Sequence, residues 1–179
     1  INTYKNPQYN LDYAVNDAQS FVKAVSAGAD SLFHSVKAFE IFNDQAIKSN
    51  IVEAIQQIKR EIGPEDVFVF YYAGHGVMSF EKVAENADFF IVTHDVTNLY
   101  SETEVLKQKA LSATELMEFS RQIHAEKQLF ILDACHSGSM TRSSGETVRG
   151  IRAEQLIPQE VLDAAPKPPA IPAAQRAAV

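Results

Sequence analysis

Hydrophobic positions along the chain alternate between two rhythms, one helical and one strand-like. Leu11, Ala14, Val15, Ala18, Phe21, Val22 and Val25 fall on one stripe of a helix over residues 12–27. Residues 33–42 (FHSVKAFEIF) read as a strand, closed by the turn-forming pair Asn43 and Asp44. Ile47, Ile51, Ile55, Ile58 and Ile62 return at helical spacing, and Gly63 followed by Pro64 supplies the stop. Residues 66–73 (DVFVFYYA) form a continuous apolar run, the pattern of a strand covered on both faces, and FFIVT at 89–93 is a shorter strand candidate. Ser112 followed three residues later by Glu115 has the form of a capping box. It opens a helix whose inner face holds Leu116, Phe119 and Ile123. LFILDA at 129–134 is the next buried strand. This alternation predicts an α/β fold with a mostly parallel central sheet and helices on both faces.

Beyond Cys135 the pattern lapses. Residues 137–150 (SGSMTRSSGETVRG) are small, polar and glycine-bearing, so 139–157 reads as a flexible loop after a core ending near 138. Residues 158–179 hold five of the seven prolines and many alanines, the composition of an extended linker or tail. With 179 residues, 46% of them hydrophobic, the chain can bury one core and asks for no second. A net charge of −7 argues against a nucleic-acid groove, which needs a clustered basic face. No apolar run approaches the roughly 18 residues of a membrane span, and residues 1–10 lack the apolar stretch of a signal peptide. The chain opens on Ile1 rather than Met, as expected of a processed or trimmed product. A single cysteine makes no internal disulfide, so a cytoplasmic location is the default expectation.

The chemistry gathers at two strand ends. In an open parallel sheet, ligands bind outside the carboxyl ends of the strands. The run at 66–73 leads into Gly74, His75 and Gly76, and the run at 129–134 leads into Cys135, His136, Ser137 and Gly138. If these strands are neighbours, His75 and Cys135 emerge on one rim. A thiol with an ordinary pKa near 8.5 is mostly protonated at neutral pH, and a nearby imidazole raises its reactivity. Gly74 and Gly76 would let the backbone approach a substrate, and the Gly76 amide beside that of Cys135 could hold an oxyanion. Each segment alone has a plain alternative, an inert buried cysteine and a histidine in a turn. Their pairing on one predicted rim favours catalysis.

YYAGHG at 71–76 and LDACHSG at 132–138, in that order, resemble the two catalytic signatures of caspase-type cysteine peptidases, the clan of caspases, metacaspases and bacterial orthocaspases. LDYAVNDAQSF at 11–21 resembles that clan's first helix, and the likeness spans about residues 1–138. The DxCHSG form is closer to metacaspases and orthocaspases than to animal caspases. The resemblance implies a caspase-like α/β sandwich and a dyad with His75 as base and Cys135 as nucleophile. It further implies that Asp17 and Asp133 line the primary specificity pocket. Two carboxylates favour arginine or lysine before the scissile bond, because a cation relieves their repulsion. Asp133 and Cys135 are two apart, hence on one face of a strand. The plainer alternative leaves Asp17 facing solvent and Asp133 a structural acid.

Several departures from the family pattern stand out. Ala14 and Ala73 occupy positions where metacaspases often carry Cys and Ser. The family's first strand normally precedes a motif like INTYKNPQYN, and the small-subunit strands that complete its groove normally follow the loop after Cys135. The resemblance therefore implies a large catalytic subunit that needs a small-subunit portion from the same or a separate chain. Arg142, Arg149 and Arg152 lie in or beside the loop where the family is commonly processed, and an acidic-pocket protease could cut after one of them. Arginines that merely solubilise a loop are nearly as good a reading. His136 should face away from Cys135. His94, with Asp95, reads as a loop residue or as a group orienting the cleft, and His34 and His124 read as surface residues. A zinc site at Asp133, Cys135 and His75 lacks the usual ligand spacing. No cofactor is expected: calcium activates some metacaspases, but the chain shows no dense acidic cluster for it. The expected partners are a protein or peptide substrate and a sensor or activator protein, with neither nucleic acid nor membrane. The rival expectation is a catalytically silent caspase-like scaffold or regulatory module.

Overall fold

The computed structural model describes residues 1–29, 32–79, 87–99 and 103–136, with positions 135 and 136 described by backbone alone. The chain divides between Ser144 and Gly145, and everything described belongs to the first unit. Arg142, Arg149 and Arg152, the loop over 139–157 and the tail over 158–179 lie outside the described residues.

Among the described residues, four strands form one sheet: β1 (Val67–Met78), β2 (Phe89–Ile91), β3 (Leu111–Ser112) and β4 (Lys127–His136), in the order β3-β2-β1-β4. β1 and β4 pair in parallel, whereas β1 with β2 and β2 with β3 pair antiparallel, so the sheet is mixed rather than mostly parallel. The difference arises at the end of β1. Met78 and Phe89 lie in register, so the chain returns on itself as a hairpin and does not cross over. The two long strands extend past their apolar runs and carry the Gly-His-Gly and Cys-His residues inside the ladder.

The described residues also form four α-helices: α1 (Ala14–Ala29), α2 (Lys48–Glu61), α3 (Thr103–Lys109) and α4 (Ala113–Gln122). α1 packs on β1, where Phe21 stacks on Tyr71 with centroids 4.5 Å apart. Ile51 and Ile55 of α2 join the core cluster that holds Phe68 and Tyr72, residues that alternate with Tyr71 and so face the opposite side. The deepest packing surrounds β2 and β3, where Phe90, Ile91, Leu106 and Leu111 are fully buried. α4 begins with the capping box expected from the sequence. Ser112 accepts from the Glu115 amide at 3.1 Å, and Glu115 accepts from the Ser112 amide at 3.0 Å. Glu115 also pairs with Lys48 at 2.6 Å, tying α4 to α2. Ser112→Ala should therefore lower stability by about 1 kcal/mol, read as an earlier chemical-denaturation midpoint.

Residues 33–42 are extended but enter no sheet pairing among the described residues, contrary to the strand expected there. A cavity of about 550 Å³, lined by Phe33, Phe39 and Phe42 on one side and Val67–Ala73 on the other, lies between this segment and β1. The apolar pattern is present, but among the described residues no strand pairs with it. Asn43 does make the expected turn. It adopts a φ of 49°, and its side-chain oxygen accepts from the amides of Asn2 and Thr3 at 2.9 and 3.1 Å. This contact anchors the opening segment, which reaches the rim described next.

Candidate active site

β1 and β4 keep one register from Val67 opposite Lys127 to Gly76 opposite His136. Paired strands run about 4.8 Å apart, so this ladder sets position 75 beside position 135, and Ala73 beside Asp133. The neighbour relation that the sequence left conditional is therefore met by the backbone.

His75 is held from several directions. Its Nε2 lies 2.8 Å from the carbonyl oxygen of Tyr9. A carbonyl only accepts, so Nε2 carries the hydrogen and the neutral ring has its lone pair on Nδ1. The His75 amide donates to the Tyr4 hydroxyl at 3.0 Å, and its carbonyl oxygen lies 2.7 Å from the Tyr72 hydroxyl. The Tyr4 ring packs at 5.1 Å from the imidazole and the Tyr9 ring at 6.1 Å, the latter edge-on. Burial raises the pKa of Tyr4 and raises that of Tyr72 well above its ordinary value, so both stay protonated at neutral pH. A backbone carbonyl leaves no trace in a sequence, and Tyr4 and Tyr9 sit in a polar opening segment that reads as a loop. The signal available was their recurrence in that segment. His94 secures the same segment: its Nδ1 meets the Thr3 carbonyl at 2.7 Å, and its own carbonyl accepts from the Lys5 amide at 2.8 Å. His94 thus holds the piece that carries Tyr4 and Tyr9. His34 and His124 are exposed.

The glycines around His75 serve packing within the protein. A Cβ on Gly74 would sit 2.5 Å from the Tyr72 hydroxyl and 2.7 Å from that of Tyr4, and one on Gly76 would sit 2.4 Å from the Phe89 ring. The absence of side chains here lets the protein's own aromatic rings and hydroxyls come close to the backbone. Gly74→Ala would have to displace both hydrogen-bonded hydroxyls at once, so it should destabilise the fold by about 1–3 kcal/mol. Thermal unfolding of the variant measures this.

Asp17 lies in the first turn of α1, and both it and Asp133 are exposed. Tyr71 stands where their fields meet. Its pKa is raised first by burial, then by the charge of Asp133 and that of Asp17, so both carboxylates act on one phenol. Tyr71, stacked on Phe21 of α1 and carried by β1, is a residue the sequence did not single out. Cys135 and His136 are described as backbone at the end of β4. Among the described residues, no three His, Cys, Asp or Glu converge closely enough to hold a metal ion, and no helix is long and apolar enough to cross a membrane.

Residues 2–143 match the family model of the metacaspase, peptidase C14 domain. The chain belongs to the metacaspase family. This metacaspase domain is 34% identical over 128 residues to a probable protease of a Desulfuromonadales bacterium, across 71% of the chain and 14% of that relative's length. The crystal structure of protein GSU0716 from Geobacter sulfurreducens superposes with a TM-score of 0.56 at 19% identity, over 77% of this chain and 48% of the other, and shows a shared fold. The caspase-like α/β architecture expected from the motifs is thus the observed one.

Proposed function

We propose that this metacaspase domain hydrolyses peptide bonds after arginine or lysine, with Cys135 as nucleophile and His75 as general base. The register that sets position 75 opposite position 135 carries the reading. The bond from His75 Nε2 to the Tyr9 carbonyl supports it, because Nδ1 is then the nitrogen able to take a proton. In the first half-reaction the thiol proton passes to Nδ1 and sulfur attacks the substrate carbonyl carbon. The amides of Gly76 and Cys135 donate to the oxyanion. The imidazolium returns its proton to the leaving amine, the C–N bond breaks and a thioester remains. Water, deprotonated by His75, then attacks the thioester and releases the acid and the thiol. Asp17 and Asp133 bind the basic side chain, and both act on Tyr71. Control is assigned to cleavage after Arg142, Arg149 or Arg152, or to a partner that completes the groove.

The test is cleavage of matched fluorogenic peptides ending in Arg, Lys or Asp by the intact protein. Turnover of Arg and Lys peptides but not of the Asp peptide is expected. If none is cleaved and a thiol-reactive substrate analogue labels Cys135 no faster than a free thiol, the domain is a scaffold and the proposal fails.

A further inference from the structure

We propose that the stacked rings of Phe21 and Tyr71 form one wall of the acidic pocket and make it select arginine over lysine. The inference deepens the proposed specificity for basic residues and rests on it.

Three placements converge on these rings. Tyr71 lies two residues before Ala73 on β1, hence on the same face, and Ala73 is the register partner of Asp133. Phe21 lies four residues after Asp17 in α1, one turn along the same stripe. The two rings are nearly parallel, at 16° and 4.5 Å between centroids. The stack therefore fastens the Asp17 end of α1 to the strand beside Asp133. Both carboxylates are exposed and Tyr71 is half-buried, so each of the three can be reached from solvent. The phenol keeps its proton, because burial and the neighbouring carboxylates oppose its ionisation. The wall is therefore neutral and aromatic between two anions.

That combination distinguishes the two basic side chains. A guanidinium is planar and weakly hydrated. It can lie against the part of the Tyr71 ring that Phe21 leaves uncovered while its N–H groups point along two directions to the carboxylates. An ammonium is a compact, strongly hydrated point charge that gains its contact with the acids and little from the rings. Asp17 and Asp133 thus set the charge requirement, and the ring pair sets the shape.

The experiment is the ratio of kcat/KM for matched Arg and Lys peptides, measured on the intact protein and on Tyr71→Phe, Tyr71→Leu and Phe21→Leu. The wild type should favour arginine. Tyr71→Leu should reduce the ratio about three- to ten-fold, chiefly by loss on the Arg peptide, while Tyr71→Phe keeps it. A merely structural defect would lower both peptides in proportion. If Tyr71→Leu loses its native circular dichroism, Phe21→Leu, which removes the support of the ring, gives the same comparison. Cleavage of both peptides with an unchanged ratio overturns this inference and leaves the basic specificity standing. An equal fall in Tyr71→Phe also overturns it, since the hydroxyl would then be responsible. If the wild type cleaves neither peptide, both this inference and the basic specificity fall.

Discussion

Cys135→Ala is expected to lower hydrolysis of arginyl peptides by the intact protein by on the order of 10⁴-fold or more, with circular dichroism and thermal midpoint unchanged. The magnitude follows from the chemistry. Covalent catalysis divides amide hydrolysis into formation and breakdown of a thioester, and no other group on this rim offers a sulfur nucleophile, since the sequence holds one cysteine. Losses of this order accompany removal of a nucleophile in other hydrolases with a paired base. What survives would come from oxyanion donors and substrate binding. The companion His75→Ala should fall nearly as far, and the double variant little further, because the two side chains act on one proton. Additive losses in the double variant would mean that they work separately. Hydrolysis retained in Cys135→Ala would sink the assignment outright.

The two long strands are legible because each is apolar over a length that only a doubly covered strand tolerates. Val67–Met78 and Lys127–His136 realise them and extend them into the candidate site residues. The amphipathic helices are legible for the same reason, and the Ser112–Glu115 capping box marks the start of α4 to the residue. The neighbour relation of β1 and β4 is another matter. It depends on the ladder that joins residues far apart in sequence, which local periodicity does not encode. Residues 33–42 fail for the converse reason: their pattern fits a strand, yet a strand also needs a partner, and a cavity lies where one would pair. Leu106 and Leu111 belong to elements too short for a period to show, although both are fully buried. At the site, the identities of His75 and Asp133 are visible in the motifs, but the Tyr9 carbonyl that orients the imidazole belongs to the backbone. Gly74 and Gly76 are singled out by the sequence for backbone approach, and the packing adds a second reason. Tyr4, Tyr72 and Phe89 fill the space where their side chains would stand.

Asp133→Ala should reduce kcat/KM for both Arg and Lys peptides by about 10- to 100-fold, as expected when a bond to a charged group worth about 1.5–3 kcal/mol is lost, while peptides with a neutral residue at that position change little. The lower end of that range is favoured by the exposure of Asp133, since water screens an open pair and replaces some of what the carboxylate supplied. Asp133→Asn sharpens the comparison, because it keeps shape and hydrogen-bonding reach and removes only the charge. A pocket that works by charge should lose nearly as much in the asparagine variant as in alanine. High salt should weaken the wild type towards the variants, as screening removes the same attraction. Asp17→Asn should act in the same direction, and because both carboxylates bear on Tyr71, the double variant should lose less than the two single losses combined. A purely structural role for Asp133 predicts something different: equal loss on basic and neutral peptides, no response to salt, and a lowered thermal midpoint. Measuring the salt dependence on both peptide classes separates the two outcomes, because only a charge that meets a cationic side chain makes discrimination, rather than activity as a whole, depend on ionic strength.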